Sequence, residues 1–582
     1  MGHGPDNWFL FTRSGRGGKN TFALTFHQLR LAMSSSYKSS SAASTLNQSI
    51  QPDTPGCLAW APGEPLLALE TLCKAAPIRL ARREPMLTFY HLTDSHHTDT
   101  GTGRSLEIAR QFDPGDGELG RAYRHWAPFT GATLVSAVRT MAECRVSPIS
   151  GREVDLLLLG GDFVNNSQVN ELNSFASIFQ GKLSRPFKQT FSLHGKPFNY
   201  EPEAVHKKKR SVSDIVHRIM HPGERSGMSL YKAASLAMAG AQPLPFPAAF
   251  VLGNHDIKAL GHISHTWLTS LWAMQPFKLL TRKLVDVQEI KAINDGLYSK
   301  HESERSAAMK EMVKLFWRRR KDLSIAWSGL DFSRRAVTMK KAWQALSPLL
   351  GDLPIERGGP AYYTVRPVPG VVLIMLDTTA RAGAGEGQLE DEQFQWLKQE
   401  LARAETQLEL AIVVSHHPSF KLVDPTPDPT SAGPVHLSGD FIRLLARSKA
   451  VIAHIAGHTH ENRIIRRRNP DNPAGGYWEI CTCSMIEWPQ QFRFLELFRN
   501  GDGTLSIATC MMNHGALPDS GRIVVPKGSR VLSEDLTVAL ASFARKLSYR
   551  DGLLGADSQS GNRAIGRRQD RNVELLIRDP YA

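Results

Sequence analysis

An α/β fold, in which strands buried on both faces alternate with helices, is what this sequence predicts, and three observations predict it. Short apolar runs recur and stop abruptly at polar residues. Residues at helical spacing lie between the runs. The polar residues at the run ends are types that bind metal ions.

The runs come in order. Met86 to Thr93 leads into Asp94-Ser95-His96, Val154 to Leu159 into Gly160-Gly161-Asp162, and Ala248 to Leu252 into Gly253-Asn254-His255-Asp256. Ala411 to Val414 leads into Ser415-His416-His417-Pro418, and Val451 to Ala456 into Gly457-His458-Thr459-His460. Runs this short, bounded by Gly or Pro, read as strands apolar on both faces. Between them Leu134, Val138 and Met141 repeat at helical spacing, as do Phe394, Leu397 and Leu401. Ligands of α/β folds gather at the carboxyl ends of strands, which is where the polar residues fall.

Tyr477 to Ile480, Phe494 to Phe498 and Leu505 to Ala508 read as further strands, the last after a Gly501-Asp502-Gly503 turn. The core is expected to close near His514, with a loosely attached tail holding one helical stretch near Leu536 to Leu547. The connections from Asp162 to Asn254 and from Asp256 to His416 far exceed compact ones, so both hold insertions. The first has a polar loop around Ser184 to Lys209. The second has a helical region around Glu302 to Trp343 that includes Met309, Met312, Leu315 and Phe316. The expected division is an N-terminal extension over 1–85, partly disordered, a main unit over 86–515 with insertions near 166–245 and 258–360, and a tail over 516–582.

With 582 residues, 41% hydrophobic and 22% charged, the chain has the make-up of a globular protein, not a fibrous or wholly disordered one. Its 6 cysteines are too sparse for a disulfide scaffold. Cys481-Thr482-Cys483 lacks the second close pair a zinc site needs and reads as alternating thiols on a buried strand. No apolar run is long enough for a membrane span. Residues 1–50 carry Arg13, Arg16, Lys19, Arg30 and Lys38 against Asp6, with a serine-rich run from Ser34 to Ser44, but no continuous apolar stretch of a secretory signal; a cytoplasmic location is the favoured expectation. The net charge of +14 favours anionic partners. Lys207 to Arg210, Arg318 to Lys321 and Arg466 to Arg468 are basic clusters that nucleic-acid phosphates would suit. A short charge run is more often a solvated face, and no aromatic module accompanies these, so nucleic acid ranks behind a small anionic substrate.

Oxygen and imidazole donors suit the metals that activate water, and this chain offers both at strand ends. Asp94 and His96 lie two residues apart, so on an extended segment both side chains point to one side and can chelate one ion. His458 and His460 have the same relation.

The order Asp-x-His, Gly-Asp, Gly-Asn-His-Asp, His, Gly-His-x-His resembles that of the calcineurin-like metallophosphoesterase superfamily, over roughly residues 86 to 465. Asn165 to Leu172 and Trp478 to Leu497, including Ile486-Glu487-Trp488-Pro489-Gln490-Gln491, resemble a bacterial branch of it. The resemblance implies a four-layer sandwich, two stacked mixed β-sheets flanked by helices, carrying two divalent or mixed-valence ions of Mn, Fe, Zn or Mg. It implies that Asp94, His96 and His460 hold the first ion and Asn254, His416 and His458 the second, with Asp162 bridging. It places the ligand first in His416-His417, although both neighbours can reach inward. His255 is implied to contact the phosphate and protonate the leaving oxygen, with Asp256 orienting it. His97, His417 and Asn165 are candidate substrate contacts; Asn165 has a helix cap as its alternative. Purple acid phosphatases have a tyrosine ligand where Asn165 stands, so the chain is similar to the non-purple, phosphodiesterase-like members.

The implied activity is hydrolysis of a small anionic phosphoester by water that two metal ions activate, diesters ahead of monoesters because no arginine lies within a metal block. A nuclease or nucleotide hydrolase using the basic clusters is the alternative. An inactive binding scaffold is the alternative of another class, and loss of activity would show as missing ligands, of which there are none. Glu487, Trp488 and Arg493 are expected in a loop near the site without a catalytic part.

Overall fold

In the computed structural model the five apolar runs are strands, divided between two seven-stranded mixed sheets. Residues 43–53, 57–74, 82–102, 126–182, 242–262, 330–381, 385–427, 433–472, 475–515, 529–552 and 560–582 are described, together with shorter pieces that include Trp8–Thr12, Thr21–Thr25, Trp267–Met274, Phe277–Thr281 and Leu323–Trp327. The first sheet holds β1 (Leu67–Leu69), β2 (Glu84–Leu92), β3 (Leu156–Leu159), β4 (Ala248–Phe250), β12 (Gln491–Arg499), β13 (Thr504–Asn513) and β14 (Val573–Arg578). Its order is β4-β3-β2-β12-β13-β14-β1, with β4, β3 and β2 mutually parallel. The second sheet holds β5 (Ile355–Arg357), β6 (Tyr363–Val368), β7 (Val371–Met375), β8 (Leu410–Val414), β9 (Val451–Ala456), β10 (Arg463–Arg468) and β11 (Gly476–Cys481). Its order is β5-β6-β7-β8-β9-β11-β10, with β7, β8, β9 and β11 parallel.

The uninterrupted apolar runs follow from burial on both faces. In β7, Val371, Leu373 and Met375 join a core that also takes Phe89 of β2, Leu157 of β3 and Phe494 of β12, so one apolar core includes both sheets. Val372 and Ile374 point the other way, into a second core. There they meet Phe394, Leu397 and Leu401 of helix α4 (Asp391–Thr406) and Phe441 and Leu445 of α5 (Ser438–Arg447). Successive side chains alternate across a strand, and here both sides are dry. On the first sheet's side, Leu134, Val138 and Met141 of α1 (Thr130–Glu143) are buried, and α1 packs on α6 (Glu534–Gly552). Between them in sequence come α2 (Val169–Phe179) and α3 (Met339–Leu346), which pack on one another.

One expectation is corrected. The core does not close near His514, because β14 pairs with β13 from Thr504↔Arg578 to Thr509↔Val573 and β1 pairs with β14. Trp478 Nε1 donates to Leu576 O, tying this last strand to the second sheet. The polar segments around Val-Glu-Leu-Leu-Ile-Arg hid a strand of the main sheet. Arg466 to Arg468 lie on the edge strand β10, where alternate residues face solvent, as a charge run commonly does, and Arg467 turns in to Glu479 and Ser419. Charged residues on an edge also block pairing with another chain. The loop around Ser184 to Lys209, Lys207 to Arg210, and Met309, Met312, Leu315 and Phe316 lie outside the described residues. Among the described residues no helix is long and apolar enough to cross a membrane.

Candidate metal centre

Every candidate block follows a parallel strand at its carboxyl end: β2, β3 and β4 of the first sheet, β8 and β9 of the second. Beyond the strands the chain does not stay extended, which corrects the expectation for the Asp-x-His and His-x-His pairs. Asp94, His96, Asp162, His458 and His460 have φ of 52°, 42°, 49°, 66° and 58°. Left-handed backbone is costly for side chains with a Cβ and clusters at functional sites. Here backbone bonds between loops hold it: Asp94 N donates to Gly161 O, His96 N to Asp162 O and His97 N to Phe163 O.

The turned loops aim their side chains at one place. His96 Nε2 and His460 Nε2 are 3.2 Å apart, and His460 Nε2 is 3.3 Å from Asp94 Oδ1. Asp162 Oδ2 lies 3.6 Å from His96 Nε2 and 3.3 Å from His416 Nε2, so it faces both groups of histidines. His416 points in because its Nδ1 donates to Gly160 O at 2.8 Å. His96 is set in the same way, with Nδ1 on Asn165 Oδ1 at 3.1 Å. Asp94 Oδ1, Asn254 Oδ1 and His416 Nε2 are buried without a hydrogen-bond partner among the described residues. Buried polar atoms are nearly always paired, so orphans among these facing groups are what a site for a cation would leave. Among the described residues, the groups of His, Cys, Asp or Glu able to hold an ion all fall here, as Asp94/His96/His460, His96/Asp162/His255, Asp94/Asp162/His416 and His416/His417/His458.

Electrostatics agree with the donor set. Burial would push Asp162 up, but His416 and His255 hold it well below the usual carboxylate range. Burial would push His416 down, but Asp162 and Asp94 hold it up to about 10. His460, also opposed by burial, is held up to about 9 by Glu487 and Asp94. In the metal-free protein these protons balance the carboxylates, and an ion bound here would have to displace them.

Several expected roles are not what the contacts show. Asp256 does not orient His255: its Oδ1 accepts from Phe163 N and Val164 N and its Oδ2 from Gly253 N, fastening the loops after β3 and β4 to each other. His255 is oriented instead by Asn165 O, which accepts from its Nδ1 at 2.9 Å, while His255 N donates to Asp162 Oδ1. The Asn165 carboxamide oxygen is engaged by His96 and does not cap α2. His97 turns away from the cleft, its nitrogens on Thr130 Oγ1 and Ser174 Oγ. His417 packs its ring against His458, but both its nitrogens are taken, by Thr378 Oγ1 and Gly385 O.

Glu487 is the residue whose part the sequence underrated. Its Oε2 accepts from His460 Nδ1 at 2.9 Å and its Oε1 from Arg124 Nε and Nη2. Arg124 and Glu386, which faces His458 Nε2 at 3.6 Å, carried no sequence signal at all. Cys481 and Cys483 are buried, and burial raises both thiols, Cys483 to about 11, as befits inert strand cysteines.

Comparison with protein-family models finds no match, and comparison with curated proteins finds none. Among solved structures, a dimetal phosphatase from Danio rerio is 12% identical, with 74% of this chain and 100% of that chain covered and a TM-score of 0.27. The sulfate thiohydrolase SoxB of Thermus thermophilus, solved with glycerol, is 10% identical, with 76% of this chain and 58% of that one covered and a TM-score of 0.26. Neither is near enough to bear on the chemistry of this chain, which rests on its own residues.

Proposed function

We propose that this chain is a metal-dependent hydrolase with two ions, the first held by Asp94, His96 and His460, the second by Asn254, His416 and His458, and Asp162 between them. More narrowly, it is a phosphoric ester hydrolase of the calcineurin-like, non-purple kind, its two sheets the inner layers of that sandwich, with a phosphodiester as the favoured substrate. The observation that carries the reading is the pair of orphaned buried ligand atoms, Asp94 Oδ1 and His416 Nε2, 4.0 Å apart beside the facing His96 and His460 nitrogens, with Asn254 Oδ1 orphaned on the loop after β4. The set is oxygen and imidazole throughout, which fits Mn, Fe, Zn or Mg and asks for no thiolate.

Bound ions would supply Lewis acidity toward phosphoryl oxygens and acidify a water. The chain's own residues do the rest. Asp162 is fixed by His255 N, and Gly253 leaves room for it, since a Cβ there would overlap its carboxylate. His255 donates from Nδ1 to Asn165 O, so its neutral ring presents a lone pair at Nε2. Burial lowers it to about 4, so it rests unprotonated and takes up a proton only when an anionic substrate raises its basicity. It then gives that proton to the leaving oxygen.

Metal analysis of the purified chain, then rates on matched aryl phosphate diesters and monoesters, tests this. Two bound ions and a diester rate above the monoester rate are expected, with Asp162→Asn losing metal and activity. His255→Ala should slow esters of poor leaving groups more than nitrophenyl esters. No hydrolysis of either ester with Mn, Fe or Zn, or full metal retention in Asp162→Asn, sinks the reading.

A further inference from the structure

Both histidines of Gly457-His458-Thr459-His460 present their outer nitrogen to a carboxylate, and each carboxylate is gripped by a cation from elsewhere in the chain. His460 Nδ1 meets Glu487 Oε2 at 2.9 Å, and Arg124 Nε and Nη2 bind Glu487 Oε1 at 2.9 and 2.7 Å. His458 Nε2 faces Glu386 Oε2 at 3.6 Å, and Lys421 Nζ binds Glu386 Oε1 at 2.6 Å. Glu386 Oε2 is buried and has no hydrogen-bond partner among the described residues. The other site histidines differ: His416 and His96 rest on neutral oxygens, Gly160 O and Asn165 Oδ1.

The arm that carries Glu487 is held rigidly. Met485 N donates to Thr93 O and Ile486 N to Asp94 O, Ile486 O accepts from Trp126 Nε1 and Gln490 Nε2, and Trp488 N donates to Ser548 Oγ. One loop thus braces the backbone of Asp94 and the imidazole of His460 together. This accounts for the Ile486 to Gln491 segment, which the hydrolytic reading leaves unused.

We propose that Glu487, clamped by Arg124, and Glu386, clamped by Lys421, are positioning residues, one for each metal. Glu487 fixes the proton of His460 on Nδ1 and frees Nε2 for the first ion. Glu386, whose unpartnered Oε2 stands 3.6 Å from His458 Nε2, is poised to accept from that nitrogen, which would leave Nδ1 for the second. A carboxylate accepting from the outer nitrogen orients the ring and makes the inner nitrogen a stronger donor. The inference rests on the two-metal reading above and adds that each ion has its own anionic brace, so the two affinities are set separately.

The test uses the full chain and Mn(II). Apo protein is titrated in competition with a chromophoric chelator, and its thermal unfolding is recorded without metal. Glu487→Gln should weaken one of the two binding steps by about 10- to 100-fold and Glu386→Gln the other. Arg124→Met should weaken the same step as Glu487→Gln, and the double variant should be no worse than Glu487→Gln alone, since Arg124 acts through the carboxylate. Metal-free unfolding temperatures should stay near that of the wild type, which a merely structural role would not allow. If the wild type binds two Mn(II) and both glutamine variants bind them with unchanged affinity, or lose affinity only in step with metal-free stability, this inference is overturned and the hydrolase reading stands. A wild type that binds no metal ion of any kind overturns both.

Discussion

Tyr363→Phe removes one oxygen atom, and its effect can be worked out from the contacts. Tyr363 lies on β6, fully buried, and its hydroxyl reaches across to the first sheet. It donates to Phe250 O at 2.7 Å and accepts from Phe250 N at 2.9 Å. Phe250 ends β4, the outermost strand, whose other side has no neighbouring strand among the described residues, so Tyr363 satisfies an edge left open there. Two hydrogen bonds at a net ~1 kcal/mol each would be lost, and a buried N–H and C=O would remain at ~1–3 kcal/mol each if wholly unsatisfied. Partial relaxation brings the expected cost to about 2–4 kcal/mol. Hydrogen exchange of the peptide over residues 248–253 measures it directly, because ~3 kcal/mol of lost protection speeds exchange by roughly 100-fold. Metal occupancy should fall as well, since Val251, Leu252 and Gly253 alone separate this anchor from Asn254. Exchange at this peptide within about twofold of the wild type would refute the argument that one hydroxyl pins the edge strand and, through it, the Asn254 loop.

Gly253→Ala puts a methyl group on the Asp162 carboxylate, and Gly457→Ala puts one on Thr93 Oγ1 and Asp94 Oδ2. Each should lose most hydrolysis and at least one metal ion, at an overpacking cost of about 1–3 kcal/mol; wild-type metal content in either variant would show that the carboxylates need no such close fit. Asp256→Asn sets an amide against three backbone N–H donors, and should lower stability by about 1–3 kcal/mol with activity falling in parallel. A change in leaving-group dependence at unchanged stability would instead restore its partnership with His255. Burial would raise Glu479, but His454 and Arg467 hold its carboxyl at about 2 against an ordinary 4.5. A depressed carboxyl contributes stability that is full above pH 4.5 and lost as pH falls toward 2, here about 3 kcal/mol. Acid titration of the unfolding midpoint should therefore show a steep limb in that window, and Glu479→Gln should flatten it; a limb unchanged in the variant counts against the assignment.

The parts of the fold that could be read from the sequence were those with a strong local signature. Leu156–Leu159 is all leucine and wholly buried, and Gly160-Gly161-Asp162 follows it without ambiguity. Phe394, Leu397 and Leu401 mark one face of a helix, and that face is buried. β14 was missed because its apolar residues are flanked by a polar, arginine-rich segment whose composition suggested a tail. The pairing that makes it a strand lies with Thr504–Asn513 and leaves no local trace. Arg334, fully buried, binds Asp99 on the loop after β2, and Asp99 N in turn donates to Glu171 of α2. Three charged residues so far apart in the chain read as surface positions until folding brings them together.

The same limit explains why the grouping of these blocks was legible in outline but not their division of labour. Asp94, Asp162 and Asp256 all follow strands and all sit among Gly, Asn or His, so sequence context gives them equal claims. What separates them is how many of their oxygens the protein already occupies. Asp256 spends both on backbone N–H groups, and so does Glu171, which takes Asn166 N and Asp99 N. Asp94 and Asp162 each keep one oxygen facing the histidines. The two kinds depend on each other. Holding five non-glycine residues in left-handed backbone costs of order 1–3 kcal/mol apiece, and a loop under that strain would relax unless fastened. The occupied carboxylates do the fastening: Asp256 joins the loop bearing Asp162 to that bearing Asn254, and Glu171 joins Asn166 to Asp99. Strain at the ligands is therefore offset by buried carboxyl groups that never touch the cleft, and a substitution at Asp256 should act on metal binding through geometry alone.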